Sequence, residues 1–232
     1  MATDLSRRLA ELSPEKRKML EVRLRAARGP ARDADAGIPH ADRSQPIPLS
    51  FAQERLWFLE QLDPGSAVYN VPSGYTLDGP LDAETLARAL MEVVRRHEVL
   101  RTAFEPTDAG PVQRILPPDV FRMQVVDLSH LGDAEAEAEV DRRMGEEARR
   151  PFDLRRGPLI RATLYRMRPD LHALSIVQHH AATDVWAGGV LVDELVALYG
   201  AFRRGEPSPL PPLPLQYADF AAWQRAWLSG GE

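Results

Sequence analysis

The stretch LIRATLYRMRPDLHALSIVQHHAATDVW, Leu159 to Trp186, constrains the fold more than any other. Leu159–Met167 and Leu171–Gln178 are apolar, strand-forming runs, and Pro169 and Asp170 between them suit a tight turn. A long helix is predicted from about Trp186, with Leu191, Leu195, Leu198 and Phe202 on one face. A chain that must pair two such strands and then cover them with a helix is directed toward a layered α/β structure.

The rest of the chain agrees with that direction. FAQERLWFLEQL, Phe51–Leu62, reads as a helix with Ser50 as its N-cap. Val68–Leu77 alternates like a strand. Asp82 is placed to cap a helix whose Leu86, Leu90, Val93, Val94 and His97 share a face. Val99–Phe104, Val112–Leu116 and Phe121–Leu128 read as extended segments, Asp133–Arg150 as a charged helix, and Tyr217–Leu228 as a closing amphipathic helix. The proline-rich run Pro207–Gln216 is an extended connector. Upstream, residues 1–28 form a short helical segment, in which Ser13 and Pro14 mark a restart, and residues 29–46 form a Gly-, Pro- and Asp-rich linker. The main domain is therefore expected over residues 47–232, as an α/β two-layer sandwich with a mixed β-sheet.

Composition narrows the possible functions. Apolar residues make up 44% and charged residues 27%, as in a globular chain. The 29 basic residues are spread out and the net charge is −5, which argues against a nucleic-acid partner. The absence of cysteine excludes disulfides, thiolate zinc sites and a cysteine nucleophile. No apolar run approaches the ~18 residues of a membrane span, so no membrane partner is expected. MATDLSRRLAELS lacks the form of a signal peptide, which leaves the cytoplasm as the expected location.

The strand ends in His179 and His180. Successive strand residues face opposite sides, so His179 joins Ser175 and Val177 while His180 joins Leu174 and Ile176. The two histidines are thus expected to do different jobs. Histidine moves protons near neutral pH, and acyl transfer requires an attacking amine or hydroxyl to lose one. Asp184 stands where it either caps the next helix or holds a buried arginine. A pair followed by an aspartate also suggests a metal site, but the adjacent side chains diverge and no further histidine cluster completes one. Counted from His179, the pattern also meets the short H-x-x-x-x-D motif of glycerolipid acyltransferases.

Four stretches in order resemble one family. PLSFAQERLWFLEQL (Pro48–Leu62), RHEVLRTAF (Arg96–Phe104), HHAATDVW (His179–Trp186) and YADFAAWQRAWL (Tyr217–Leu228) resemble successive motifs of the condensation domains of nonribosomal peptide synthetases. The third stands at that family's HHxxxDG motif. The resemblance covers about Pro46–Leu228 and implies a chloramphenicol acetyltransferase-like half-domain, one of two similar lobes around a tunnel. It implies amide formation between a donor acyl or peptidyl thioester and an aminoacyl acceptor. Both are delivered on phosphopantetheine arms by partner carrier domains, with no metal or other cofactor bound directly. By the same resemblance His180 is the catalytic histidine and His179 is more structural. Asp184 holds the motif loop through an arginine, for which Arg101 is the first candidate and Arg161 the second. Gln53, Arg55, Trp57, Tyr217, Asp219 and Trp223 read as scaffold.

Two departures qualify these implications. Val185 stands where the motif has glycine, which matters if that position needs positive φ or close approach, and not if it merely begins the helix. The matched residues amount to one lobe of two, so this lobe is expected to need the C-terminal lobe or a neighbouring synthetase subunit for activity. A non-catalytic carrier- or subunit-interaction module with a decayed site, and an epimerising or ester-forming relative, are the rival expectations.

Overall fold

The computed structural model describes residues 37–229. The predicted helical segment at 1–28 and the first part of the linker lie outside the described residues. A compact unit begins at His40, and all that follows concerns that unit.

Twelve elements build it. They are β1 (Ile47–Pro48), α1 (Phe51–Leu62), β2 (Asn70–Asp78), α2 (Ala83–Arg96), β3 (Thr102–Thr107), β4 (Gly110–Ile115), β5 (Gln124–Asp127), α3 (Asp133–Arg149), β6 (Ile160–Arg168), β7 (Leu171–His179), α4 (Val185–Arg203) and α5 (Tyr217–Ser229). The main sheet has the order β2-β7-β6-β5. Its first three strands are antiparallel, and β5 is parallel to β6 through the α3 crossover. A smaller antiparallel sheet has the order β1-β4-β3.

The predicted hairpin is the centre of this arrangement. Arg168 pairs with Leu171 across Pro169 and Asp170, and β7 is hydrogen-bonded on both sides along its length. Alternation then divides the core. Ile160, Ala162 and Leu164 of β6 and Leu174 and Ile176 of β7 point toward α2 and α4. There they pack on Leu90, Val93, Leu191, Leu195 and Leu198. The other face meets α3 through Tyr165, Met167, Ala173, Ala136 and Val140. At the far end of that face, Val177 and Leu159 pack with Trp57, Phe104 and Phe152. The expected α/β sandwich with a mixed sheet forms, and α3 adds a helix on the second face.

The caps are those expected. Ser50 and Gln53 form a reciprocal capping box on α1, and Asp82 accepts from the amides of Glu84 and Thr85 on α2. One expected strand differs. Glu98–Arg101, within the predicted extended run Val99–Phe104, is a turn of 3-10 helix, and the strand starts at Thr102. Local bonds decide this: Leu100 N–H donates to the His97 carbonyl at 3.1 Å, and the Thr102 hydroxyl donates to the Glu98 carbonyl at 2.8 Å. Gly157, just before β6, has φ +57°, and a Cβ there would stand 3.2 Å from the Thr102 carbonyl oxygen. That turn requires glycine.

Helix α4 has a mean hydropathy of 1.4 over a length sufficient to cross a membrane, in contrast with the sequence expectation of no such run. It is also a core helix, since its Leu191, Leu195, Leu198 and Ala201 are buried. Its other side leaves Val185, Trp186, Val190 and Val196 exposed.

Helix α5 is tied back to the start of the domain. Tyr217 Oη and Ser50 Oγ are 3.0 Å apart, Phe51 N–H donates to Gln224 Oε1 at 3.0 Å, and Arg225 Nε donates to the Leu49 carbonyl at 2.8 Å. Asp219, buried at the first turn of α5, accepts from the amides of Ala41 and Gln216 and from Arg43. Burial alone would raise its carboxyl, but these hydrogen bonds and the Arg43 charge hold it below the ordinary carboxylate range. The last residues of the predicted linker are thus fixed on the domain.

Candidate active site

The two histidines separate as the alternation predicts. His179 is the last residue of β7 and is 4% exposed. Its ring meets Tyr69 and Phe152 edge-on at centroid separations of 6.3 and 5.9 Å. Its Nδ1 accepts from the Ala181 amide at 3.1 Å, so Nδ1 is unprotonated and the neutral ring carries its hydrogen on Nε2. Burial, and secondarily the His180 charge, push its pKa down to about 4 from an ordinary 6.5.

This shift has a consequence for stability. The folded-state pKa is depressed, so between about pH 6.5 and 4 the unfolded chain binds a proton that the folded chain refuses. Stability therefore falls as pH drops through that window and levels off with respect to this group below about 4. The expected loss is at most about 3 kcal/mol. Urea unfolding of the parent and His179→Gln at pH 7, 5.5 and 4.5 should show the parent losing more stability on acidification. Parallel losses in the two proteins would exclude His179 as the cause.

His180 lies just past the strand and is exposed. Its backbone N–H donates to the Tyr69 carbonyl at 2.9 Å, which continues the β2–β7 ladder by one bond. Its Nδ1 is 2.7 Å from the Thr183 carbonyl oxygen. A carbonyl can only accept, so Nδ1 carries the proton and Nε2 presents its lone pair outward. Among the described residues Nε2 has no hydrogen-bond partner. The loop that does this is compact: Ala182 N–H donates to the His179 carbonyl at 2.8 Å, and Gln53 Nε2 donates to the Ala181 carbonyl at 3.4 Å. Thr183 was not singled out by the sequence, because its role is played by a backbone carbonyl that any residue has.

Asp184 takes the first of its two expected roles. It is the N-cap of α4, and its Oδ1 accepts from the Ala187 amide at 2.8 Å. The expected pairing with an arginine is corrected. Among the described residues no ion pair joins Asp184 to Arg101 or Arg161. Arg101 donates to the carbonyls of Val94, Arg95 and Leu116 and lies near Glu98. Arg161 binds Glu147 and the carbonyls of Glu147, Arg150 and Pro151, and stacks 3.8 Å over Phe152. Both guanidinium groups are drawn to backbone carbonyls left unpaired at helix ends. Arg161 reaches the motif only indirectly, by backing the Phe152 ring that abuts His179. Asp184→Asn should accordingly change stability by less than about 0.5 kcal/mol, since asparagine caps as well as aspartate. A loss near the ~3 kcal/mol of a broken buried ion pair in thermal unfolding would restore the arginine partner.

Val185 is the first residue of α4 and is 99% exposed. Among the described residues, none other than glycine has positive φ. Valine therefore strains nothing at this position, and the register of Asp184 is intact. Among the described residues there is also no group of three or more acidic or histidine side chains able to hold a metal ion.

Comparison with known proteins shows the family and the fold. Residues 43–230 match the Condensation domain family. Chondramide synthase cmdD of Chondromyces crocatus is 51% identical over 187 residues, 81% of this chain and 5% of that protein. Phosphinothricin tripeptide synthetase PhsC of Streptomyces viridochromogenes is 46% identical over 227 residues, 97% of this chain and 21% of that protein. The chain thus spans a small part of the length of these relatives. Among solved structures, the X-domain from teicoplanin biosynthesis superposes with TM-score 0.74 at 30% identity, over 84% of this chain and 41% of that one. The starter condensation domain of rhizomide synthetase RzmA shares the fold at TM-score 0.72 and 24% identity, over 79% of this chain and 44% of that one.

Proposed function

We propose, from the premise that this chain belongs to the condensation-domain family, that it is the N-terminal lobe of a domain that joins a donor acyl or peptidyl thioester to an aminoacyl acceptor. The observation that carries this reading is the exposed His180, whose Nδ1–H is committed to the Thr183 carbonyl so that Nε2 is free to accept a proton. The acceptor nitrogen attacks the thioester carbon, forming C–N as C–S breaks. Nε2 takes the proton that the nitrogen loses and returns it to the departing thiolate sulfur. Because the ring is held at its other nitrogen, the base is oriented before substrate arrives. Both substrates come on the phosphopantetheine arms of carrier domains, and this lobe contributes no other cofactor.

The exposed face of α4 supports a facing lobe. Val185, Trp186, Val190 and Val196 are large apolar side chains left exposed on α4, the helix that follows the histidine loop, and such side chains are normally covered in an assembled protein. The superposed structures, of which this chain matches 41–44%, have the length for a second lobe. The test is amide formation by this lobe joined to its second lobe, with both carriers loaded, followed by mass spectrometry of the carrier-bound product. Product dependent on both loaded carriers supports the reading, and its absence from a folded two-lobe protein overturns it. Val185 gives no physical ground for a decayed site, so turnover is expected with valine in place.

A further inference from the structure

A polar cleft lies at the end of the main sheet where β6 begins, outside the histidine motif. It has a volume of about 220 Å³ and sits between the 3-10 turn Pro118–Val120, the start of β6 and the end of α3. Its polar lining comprises Arg122, Gln124, Glu147, Arg150, Arg161 and Thr163. Three guanidinium groups and one carboxylate leave it with a net charge of about +2, as none of the arginines loses its proton at neutral pH.

The donors are unequally committed. Arg161 spends its hydrogen bonds on Glu147 and three carbonyls, as described above, and acts as the wall of the cleft. Arg150 uses Nη1 on Glu147 at 3.0 Å and keeps its other donors. Arg122 has no hydrogen bond or ion pair among the described residues. Burial first, and then the neighbouring Arg150 charge, hold the Arg161 guanidinium below its ordinary value, against the opposing pull of Glu147. Surplus guanidinium donors facing one polar cleft match an oxyanion of tetrahedral or planar geometry.

We propose that this cleft binds a phosphate-class oxyanion, with Arg122 and Arg150 supplying the free N–H donors. The ligand has two chemical sources, free phosphate and the phosphate ester of a pantetheine arm. Arg161 pairs across the sheet with Val177 near the end of β7, on the face of the sheet opposite to that of His180. The arm as source rests on the proposed function; oxyanion binding does not.

The experiment is calorimetric titration of this chain with inorganic phosphate and, separately, with 4′-phosphopantetheine, both against chloride at equal ionic strength. Saturable phosphate binding is expected. Arg122→Glu should weaken it at least about tenfold and Arg150→Ala several-fold, the scale of one charge-assisted hydrogen bond. Arg204→Ala, at the end of α4, should leave it unchanged. Arg122 has no partner in the described fold, so its substitution is expected to preserve structure, checked by circular dichroism. Tighter binding of 4′-phosphopantetheine assigns the arm as source, and equal binding assigns free phosphate. No saturable binding, or binding that survives both substitutions, overturns the site. Phosphate binding lost while amide formation persists would sink this inference alone; the reverse would sink the functional reading alone.

Discussion

His180→Ala in the two-lobe protein should lower the rate of amide formation by about 10²–10⁴-fold, the range for removing a positioned general base. The loss should fall on single-turnover rate with loaded carriers present, because the ring is exposed and contributes nothing to the core. Thermal stability should hardly change, since only the Nδ1 bond to the Thr183 carbonyl is lost. His179→Ala should behave in the opposite way, destabilising the fold through the cavity left between Tyr69 and Phe152. Turnover within about threefold of the parent in His180→Ala would remove this histidine from the chemistry.

The second large effect concerns the joint between α2 and α4. Arg96 and His97, at the end of α2, bond Glu194 on α4 at 3.1 and 2.7 Å, and Arg96 also donates to the Pro211 carbonyl. The Arg96 and Glu194 side chains are only 6% and 12% exposed. Burial would raise the Glu194 carboxyl, yet the hydrogen bonds from Arg96 and His97 hold it below its ordinary value. Glu194→Ala strands a buried guanidinium and should cost about 3–5 kcal/mol. For a domain of this size that is a fall in Tm of roughly 6–20 °C. Replacing both partners, Arg96→Met with Glu194→Leu, should recover most of the loss, because the desolvation cost disappears with the charges. A single substitution that shifts Tm by less than about 2 °C would mean that water already screens the pair.

The sequence makes some of these features visible and conceals others for identifiable reasons. The β6–β7 hairpin and the opposite fates of His179 and His180 follow from strand alternation, which is a local rule. Ser50, Asp82 and Asp184 are legible as caps because capping spans three residues. The arginines are not legible. A guanidinium goes to whichever carbonyls are left unpaired nearby, and those are set by where short helices end. Arg101 answers to the end of α2, toward which the 3-10 turn at Glu98–Arg101 carries it, and that turn reads as strand because Val99 and Leu100 are apolar. Arg161 answers to the end of α3. The Asp184 cap, formed within its own turn, leaves no need for a distant cation.

Strand β7 has one further consequence. It is flanked along its length by β2 and β6, and both of its faces are covered. Its amide hydrogens can exchange with solvent deuterium only when the domain opens as a whole. The ladder reaches His179, whose N–H is held by the Leu159 carbonyl, and ends with the His180 N–H on Tyr69. Beyond it the Ala181 and Ala182 amides bond back to His179, and Gln53 holds the Ala181 carbonyl. The run of slowly exchanging β7 amides therefore ends at His180. The base is anchored at the end of the most persistent strand, and the loop that sets its tautomer is pinned to that strand by the Ala182 amide and to α1 by Gln53.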